Sequence, residues 1–239
     1  MSERVALVTG AGSGIGRSIA LALASHGFAV GLVGRTADRL QAVAEAARQT
    51  SPGVVWLPAD LSVDNQVASL THAVGTRFGR LDVLVHSAGG IRPGRVDQAL
   101  VEDLDWQFRI NLRAPFLLTQ SLLPMLRASK GQIVFVNSAA ALNPAASNGQ
   151  YAATKAGLRT IADSLRMVVN PEGIRVLSVY PGRTASPMQA GVHQFEQRPY
   201  RPETLMQPDD VANTVIAALL LPRSAEITDL MIYPMRKDP

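Results

Sequence analysis

Short, β-branched apolar runs alternate with longer stretches of helical spacing along the 239 residues of the chain. Val5–Thr9, Ala29–Val33, Val54–Leu57, Leu81–Val85, Gln132–Asn137, Arg175–Val179 and Leu230–Tyr233 read as strands buried on both faces. Between them, Gly16–Ser25, Ala37–Gln49, Val63–Phe78, Asp105–Arg127, Tyr151–Val169 and Asp209–Leu220 repeat apolar residues at helical spacing. Thr36 before Ala37 and Ser62 before Val63 are polar residues placed to cap helices. Strand–helix alternation of this kind predicts an α/β fold: a doubly wound sheet of about seven parallel strands with helices on both faces. No linker divides the chain, so residues 1–239 are expected to form a single domain. The stretch 184–208 breaks the rhythm with Pro187, Pro199, Pro202 and Pro208, and is expected to be an irregular substrate loop or lid.

Composition narrows the chemistry. Apolar residues make up 47% and charged residues 18%, enough for a sizeable core and too few charges for global disorder. The formal charge of +4 and pI near 9.8 raise a nucleic-acid reading. The arginines (Arg17, Arg35, Arg77, Arg109, Arg166, Arg198 and Arg223 among them) are scattered rather than clustered, so no nucleic-acid partner is expected. With no cysteine, thiol nucleophiles and thiolate zinc sites are excluded. His26, His72, His86 and His193 stand too far apart for metal-ligand spacing, and no metal is expected. The opening MSERVALVTG is too short in its apolar part for a signal peptide, and no run approaches the roughly 18 apolar residues of a membrane span. A soluble, cytoplasmic protein is the expectation.

The first strand runs into Thr9-Gly10-Ala11-Gly12-Ser13-Gly14-Ile15-Gly16-Arg17. Glycine here lets the backbone turn sharply and approach a pyrophosphate, while the following helix points unsatisfied N–H groups at it. A glycine triplet alone is only a tight turn. Between a buried strand and a helix, at the start of an alternating chain, it reads as a dinucleotide site. The second strand ends Val33-Gly34-Arg35-Thr36, with no carboxylate for an adenosine ribose. Gly34 leaves room and Arg35 offers a fork suited to a 2′-phosphate, so NADP(H) is favoured over NAD(H).

Tyr151-Ala152-Ala153-Thr154-Lys155 places a phenol and an ammonium four residues apart on one helix face. A nearby cation stabilises phenolate and lowers the tyrosine pKa. By itself such a pair is also found on ordinary surface helices.

Thr9–Gly16, Asp60-Leu61, Ala88-Gly89, Asn111, Ser138, Tyr151, Lys155 and Pro181-Gly182 follow in order, with Tyr151 thirteen positions after Ser138. Together they resemble the short-chain dehydrogenase/reductase family over nearly the whole chain. The resemblance implies a Rossmann-type fold and hydride transfer between a nicotinamide cofactor and a carbonyl or secondary alcohol. It casts Tyr151 as proton donor or acceptor, Ser138 as a hydrogen-bond partner of the same oxygen, and Lys155 as the group that binds the nicotinamide ribose and lowers the tyrosine pKa. Asn111 would hold a water behind Lys155. Gly10, Ser13, Gly14, Ile15 and Gly16 would bind the cofactor phosphates. Asp60 would take the adenine amino group and Leu61 a backbone contact, with Ala88, Gly89, Pro181, Gly182, Thr184 and Ser186 completing the cofactor site.

Three departures stand out. His86 and Ser87 replace the two asparagines frequent before Ala88-Gly89, and His86 reads as a scaffold residue. Ser186 stands where threonine is frequent, and remains able to bond the carboxamide. The chain ends Leu230-Met231-Ile232-Tyr233-Pro234-Met235-Arg236-Lys237-Asp238-Pro239, without the glycine-rich close of many members. That weakens a specific match to 3-oxoacyl reductases, which stay an alternative activity. A non-catalytic dinucleotide sensor or scaffold is the other alternative. Gly90, Ile91, Ala139, Ala140, Ala145, Arg183, Met188, Phe195 and Tyr200 are expected to face a substrate, and most are small or apolar. Arg183 either meets an anionic group or lies exposed on a loop. A homodimer or homotetramer is expected, joined through Asp105–Arg127 and Tyr151–Val169.

Overall fold

A computed structural model describes residues 3–235. Its strands are β1 (Val5–Thr9), β2 (Ala29–Gly34), β3 (Val54–Pro58), β4 (Val83–His86), β5 (Gln132–Val136), β6 (Arg175–Pro181) and β7 (Asp229–Ile232). They form one parallel sheet in the order β3-β2-β1-β4-β5-β6-β7. The helices are α1 (Gly14–Ser25), α2 (Ala37–Ala47), α3 (Asp64–Phe78), α4 (Val101–Phe108), α5 (Ala114–Ser129), α6 (Gly149–Val169), α7 (Pro187–Phe195) and α8 (Pro208–Leu219).

Every residue of β1 and β4 is buried, which is why these runs read as continuous rather than alternating. Successive side chains of β1 still point to opposite faces. Ala6 and Val8 join a core with Ile19 and Leu23 of α1 and Val211 and Val215 of α8. Val5 and Leu7 join another with Val67 of α3, Leu118 and Leu122 of α5 and Leu158 of α6. With a core on each face, strand order reverses beside β1, where β2 lies on one side and β4 on the other. That reversal opens a crevice at the carboxyl ends of the strands.

Several boundaries differ from the sequence reading. The helix expected over Asp105–Arg127 starts at Val101 and is broken by a π turn at Arg109–Arg113. Pro115 has no N–H to give the carbonyl of Asn111, and the N–H of Ala114 reaches back five residues to Arg109 instead. Thr36 occupies the cap position of α2 without a side-chain bond. Ser62 caps nothing: α3 begins at Asp64, and the Ser62 hydroxyl donates to Asp60 Oδ1. The proline-rich stretch 184–208 is not irregular throughout. Pro187 sits in the first turn of α7 and Ser186 Oγ accepts from Gln189 N, so one of these prolines starts a helix. Of the unusual tail, Arg236, Lys237, Asp238 and Pro239 lie outside the described residues. Among the described residues no helix is long and apolar enough to cross a membrane, and no cluster of metal-ligating side chains occurs.

Candidate active site

A cavity of about 680 Å³ lies at the carboxyl ends of the strands. Its wall takes in Gly10, Ser13, Gly14, Ile15, Gly16, Arg35, Leu61, Ala88, Gly89, Ser138, Tyr151, Lys155, Pro181, Gly182, Thr184 and Ser186. Asn111 and Asp60 are the two expected site residues outside that wall.

The glycine turn has a geometry only glycine tolerates. Gly10 has φ +67°, and a Cβ there would stand 2.8 Å from Ala88 N; a Cβ on Gly16 would stand 2.4 Å from Gly10 O. Ser13 precedes α1 without a side-chain cap bond, so the first N–H groups of α1 have no side-chain partner there. Thr9 Oγ1 accepts from the N–H groups of Ser87 and Ala88, both at 3.1 Å, tying the turn to the loop after β4. This bare, cradled helix end fits a pyrophosphate.

Beyond β2, Arg35 is joined in the cavity wall by Arg39, a second cation the sequence reading passed over. The spacing of four residues across the start of α2 was its available signal. Asp60 is turned toward its own loop. Its Oδ1 accepts from Ser62 N at 2.9 Å and from the Ser62 hydroxyl at 2.7 Å, while Ala59 and Leu61 face the cavity.

α6 puts Tyr151 and Lys155 on one buried face, as the spacing of four demands. Lys155 Nζ donates to Val136 O at 3.0 Å and lies 6.0 Å from the Tyr151 ring centroid. Burial lowers the ammonium to about 8. Burial raises Tyr151 above its ordinary value, and the hydrogen bond with Ser138 pulls it back only in part. Ser138 Oγ also accepts from Ala140 N at 3.2 Å, which fixes it at the end of β5. Beside it, Asn137 Nδ2 is buried in the cavity wall without a partner, a second residue the sequence reading missed.

Asn111, on the π turn, is buried behind this group. Its Oδ1 accepts from Gly90 N at 2.8 Å, and its Nδ2 donates to Gly90 O and Thr154 Oγ1. A Cβ on Gly89 would stand 2.9 Å from Asn111 Oδ1 and 3.6 Å from Lys155 Nζ, so glycine there lets the two come near one another. His86 pairs through Nε2 with Thr119 Oγ1 at 2.8 Å and stacks on Phe135. Burial, then the Lys155 charge, lowers it to about 3, so it stays neutral.

Of the expected substrate-facing residues, Ile91, Ala139, Ala140, Arg183 and Met188 line the cavity, whereas Gly90, Ala145, Phe195 and Tyr200 do not. Gly90 lies under Trp106, and the Tyr200 hydroxyl accepts from Ser186 N at 3.0 Å, bracing the start of α7. Arg183 lines the wall and pairs at 2.8 Å with Glu196, also in the wall. Ser186 Oγ is engaged as the α7 cap, and Thr184 Oγ1 donates to Gly182 O.

Residues 4–197 match the family model for short chain dehydrogenase. An uncharacterized oxidoreductase of Staphylococcus epidermidis is 31% identical over 236 residues, covering 98% of this chain and 99% of its own. The alcohol dehydrogenase of the archaeon Thermococcus sibiricus, complexed with 5-hydroxy-NADP, superposes with a TM-score of 0.89 at 27% identity, over 100% of this chain and 99% of that one. A metagenomic short-chain oxidoreductase in complex with NADP superposes with a TM-score of 0.84 at 30% identity, over 98% of each chain. With the sheet, the glycine turn and the Ser138–Tyr151–Lys155 group on one cavity, the chain belongs to the short chain dehydrogenase family of oxidoreductases.

Proposed function

We propose that this protein is an NADP(H)-dependent reductase or dehydrogenase acting on a carbonyl compound or the matching secondary alcohol. One observation carries the reading: a single cavity has the glycine turn at one end and Ser138, Tyr151 and Lys155 at the other. When bound, the nicotinamide supplies or accepts the hydride. The chain holds and moves the proton. Tyr151, kept as a phenol by burial, gives its proton to the carbonyl oxygen in reduction and takes it back in oxidation. Ser138 Oγ donates to the same oxygen and holds it in place as charge develops. Lys155 binds the ribose hydroxyls and sets a positive charge behind the phenol, and Asn111 keeps the loop at Gly90 in register.

The choice of NADP(H) rests on Arg35 and Arg39 in the wall and on the lack of a carboxylate at the end of β2. The NADP complexes of the two similar structures support it. The chain is further proposed to self-associate through α4, α5 and α6, where Phe108, Phe116 and Met167 are exposed. Titration with NADPH and NADH, followed by fluorescence, and then a ketone panel tests the main reading. Tight NADPH binding with turnover of a ketone, lost by about 10²–10⁴-fold in Tyr151→Phe with cofactor affinity kept, is expected. Failure to bind either nucleotide, or full turnover by Tyr151→Phe, overturns it.

A further inference from the structure

The cavity wall includes an aromatic side chain that the mechanism does not use. Trp106, on α4, lines the cavity along with Ile91 and Ile110. Its ring is held from two sides. A Cβ on Gly90 would stand 2.1 Å from Trp106 Cη2, so the indole edge lies against bare backbone. The Arg92 guanidinium covers the ring at 4.5 Å from its centroid, and that arginine is held by Asp103. The loop itself is pinned: Arg92 N donates to Gln107 Oε1, and Gln150 Nε2 donates to Arg92 O. Gly90 has no positive φ, so its lack of a side chain serves the indole and not the turn.

The rest of this end of the cavity offers little to a charged ligand. The charged side chains of the wall, among the described residues, are Arg35, Arg39, Lys155, Arg183 and Glu196. The two first arginines lie beyond β2, Lys155 is engaged by Val136 O, and Arg183 and Glu196 set opposite charges side by side, with Arg183 Nη1 and Glu196 Oε2 left without a partner. The amides of Asn148 and Gln189 bond within the chain. Asn137, with its Nδ2 unpartnered, and Asn143 add uncharged polar groups to the wall, and its apolar part is the fixed Trp106 ring with Ile91, Ile110 and Met188.

We propose that Trp106, locked in place by Gly90 and Arg92, is the specificity-determining residue of the site and selects neutral carbonyl compounds that carry a planar apolar substituent. A ring immobilised before binding gives up little conformational freedom when a flat group packs on it. The inference rests on the carbonyl reading above, and its test separates the two.

The probes are 4-phenylbutan-2-one and butan-2-one, which share a methyl ketone and differ by the phenyl-bearing arm. The wild type is expected to favour the phenyl compound by at least about tenfold in kcat/KM. Trp106→Ala and Gly90→Ala, the latter pushing the indole out of place, each lose most of that preference. Trp106→Phe keeps it, and NADPH affinity is unchanged in the two Trp106 variants. A preference unaltered in Trp106→Ala and Gly90→Ala overturns the proposal. The second readout needs no turnover. Trp56 and Trp106 are the two tryptophans, so in Trp56→Phe the emission reports Trp106 alone. Saturable quenching by 4-phenylbutan-2-one without turnover of either ketone would leave Trp106 as a ligand wall and sink the reductase reading. Neither quenching nor turnover would sink both.

Discussion

Asn111 and Gly90 close a two-way hydrogen-bonded ring, with Oδ1 accepting from Gly90 N and Nδ2 donating to Gly90 O, each at 2.8 Å. The ring spans the π turn and the loop after β4, and it is buried. Asn111→Ala leaves the Gly90 N–H and carbonyl without these partners. A loss of about 1–3 kcal/mol in unfolding free energy is expected, with a fall in kcat as the loop relaxes. Chemical denaturation and steady-state kinetics read the two effects. A variant of unchanged stability would mean that water takes over both bonds.

Arg35 and Arg39 stand together in the wall beyond β2. If both meet a 2′-phosphate, each contributes a charge-assisted hydrogen bond of about 1.5–3 kcal/mol. Arg35→Ala and Arg39→Ala should each raise the Kd for NADPH by about tenfold or more. The Kd for NADH should hardly move. Equal weakening of the two nucleotides would reduce both arginines to bystanders.

The rate of reduction should fall as pH rises through about 8. Burial lowers the Lys155 ammonium to about 8, so its charge is lost there, while the Tyr151 phenol, raised by burial, keeps its proton well beyond. The sign for stability is opposite. With a folded pKa below the unfolded value, Lys155 binds fewer protons in the folded chain between about 8 and its ordinary value of 10.5, so its burial penalty shrinks across that window. A kcat/KM profile in the reductive direction with a basic limb near 8 is expected. A limb only above 10 would assign it to Tyr151 instead.

Acid should destabilise the protein partly through His86. The unfolded chain takes up a proton near the ordinary value of 6.5, whereas the folded chain holds His86 neutral down to about 3. Protons therefore favour the unfolded state, and stability falls as pH drops from about 6.5 toward 3, by on the order of a few kcal/mol from this group. His86→Gln, which has no proton to take up, should flatten that limb relative to the wild type while keeping a hydrogen-bonding group near Thr119. Parallel stability curves for the two proteins over this range would assign the acid limb to other groups.

The parts of the molecule legible in the chain were local. β1 and β4 showed as unbroken apolar runs because both faces of the sheet are covered. Tyr151 and Lys155 had to share a face once α6 formed, since a spacing of four fixes this without any tertiary contact. The turn at Gly10 announced itself because its φ of +67° and its closeness to Ala88 suit only glycine. Even the π turn had a local cause in Pro115, four residues after Asn111.

What only the tertiary structure decided is which distant side chains meet. The end of α7 brings Glu196 across to Arg183, a pairing that no local pattern announces. Ser186 lost its expected freedom to the same helix, which formed among prolines because one of them suits a first turn. Trp106 is an ordinary helical aromatic until Gly90, sixteen residues earlier, leaves the space its ring fills. Residues on one helix or one turn constrain each other through covalent geometry, so sequence determines them; contacts between elements depend on how layers pack, and no local pattern carries that information.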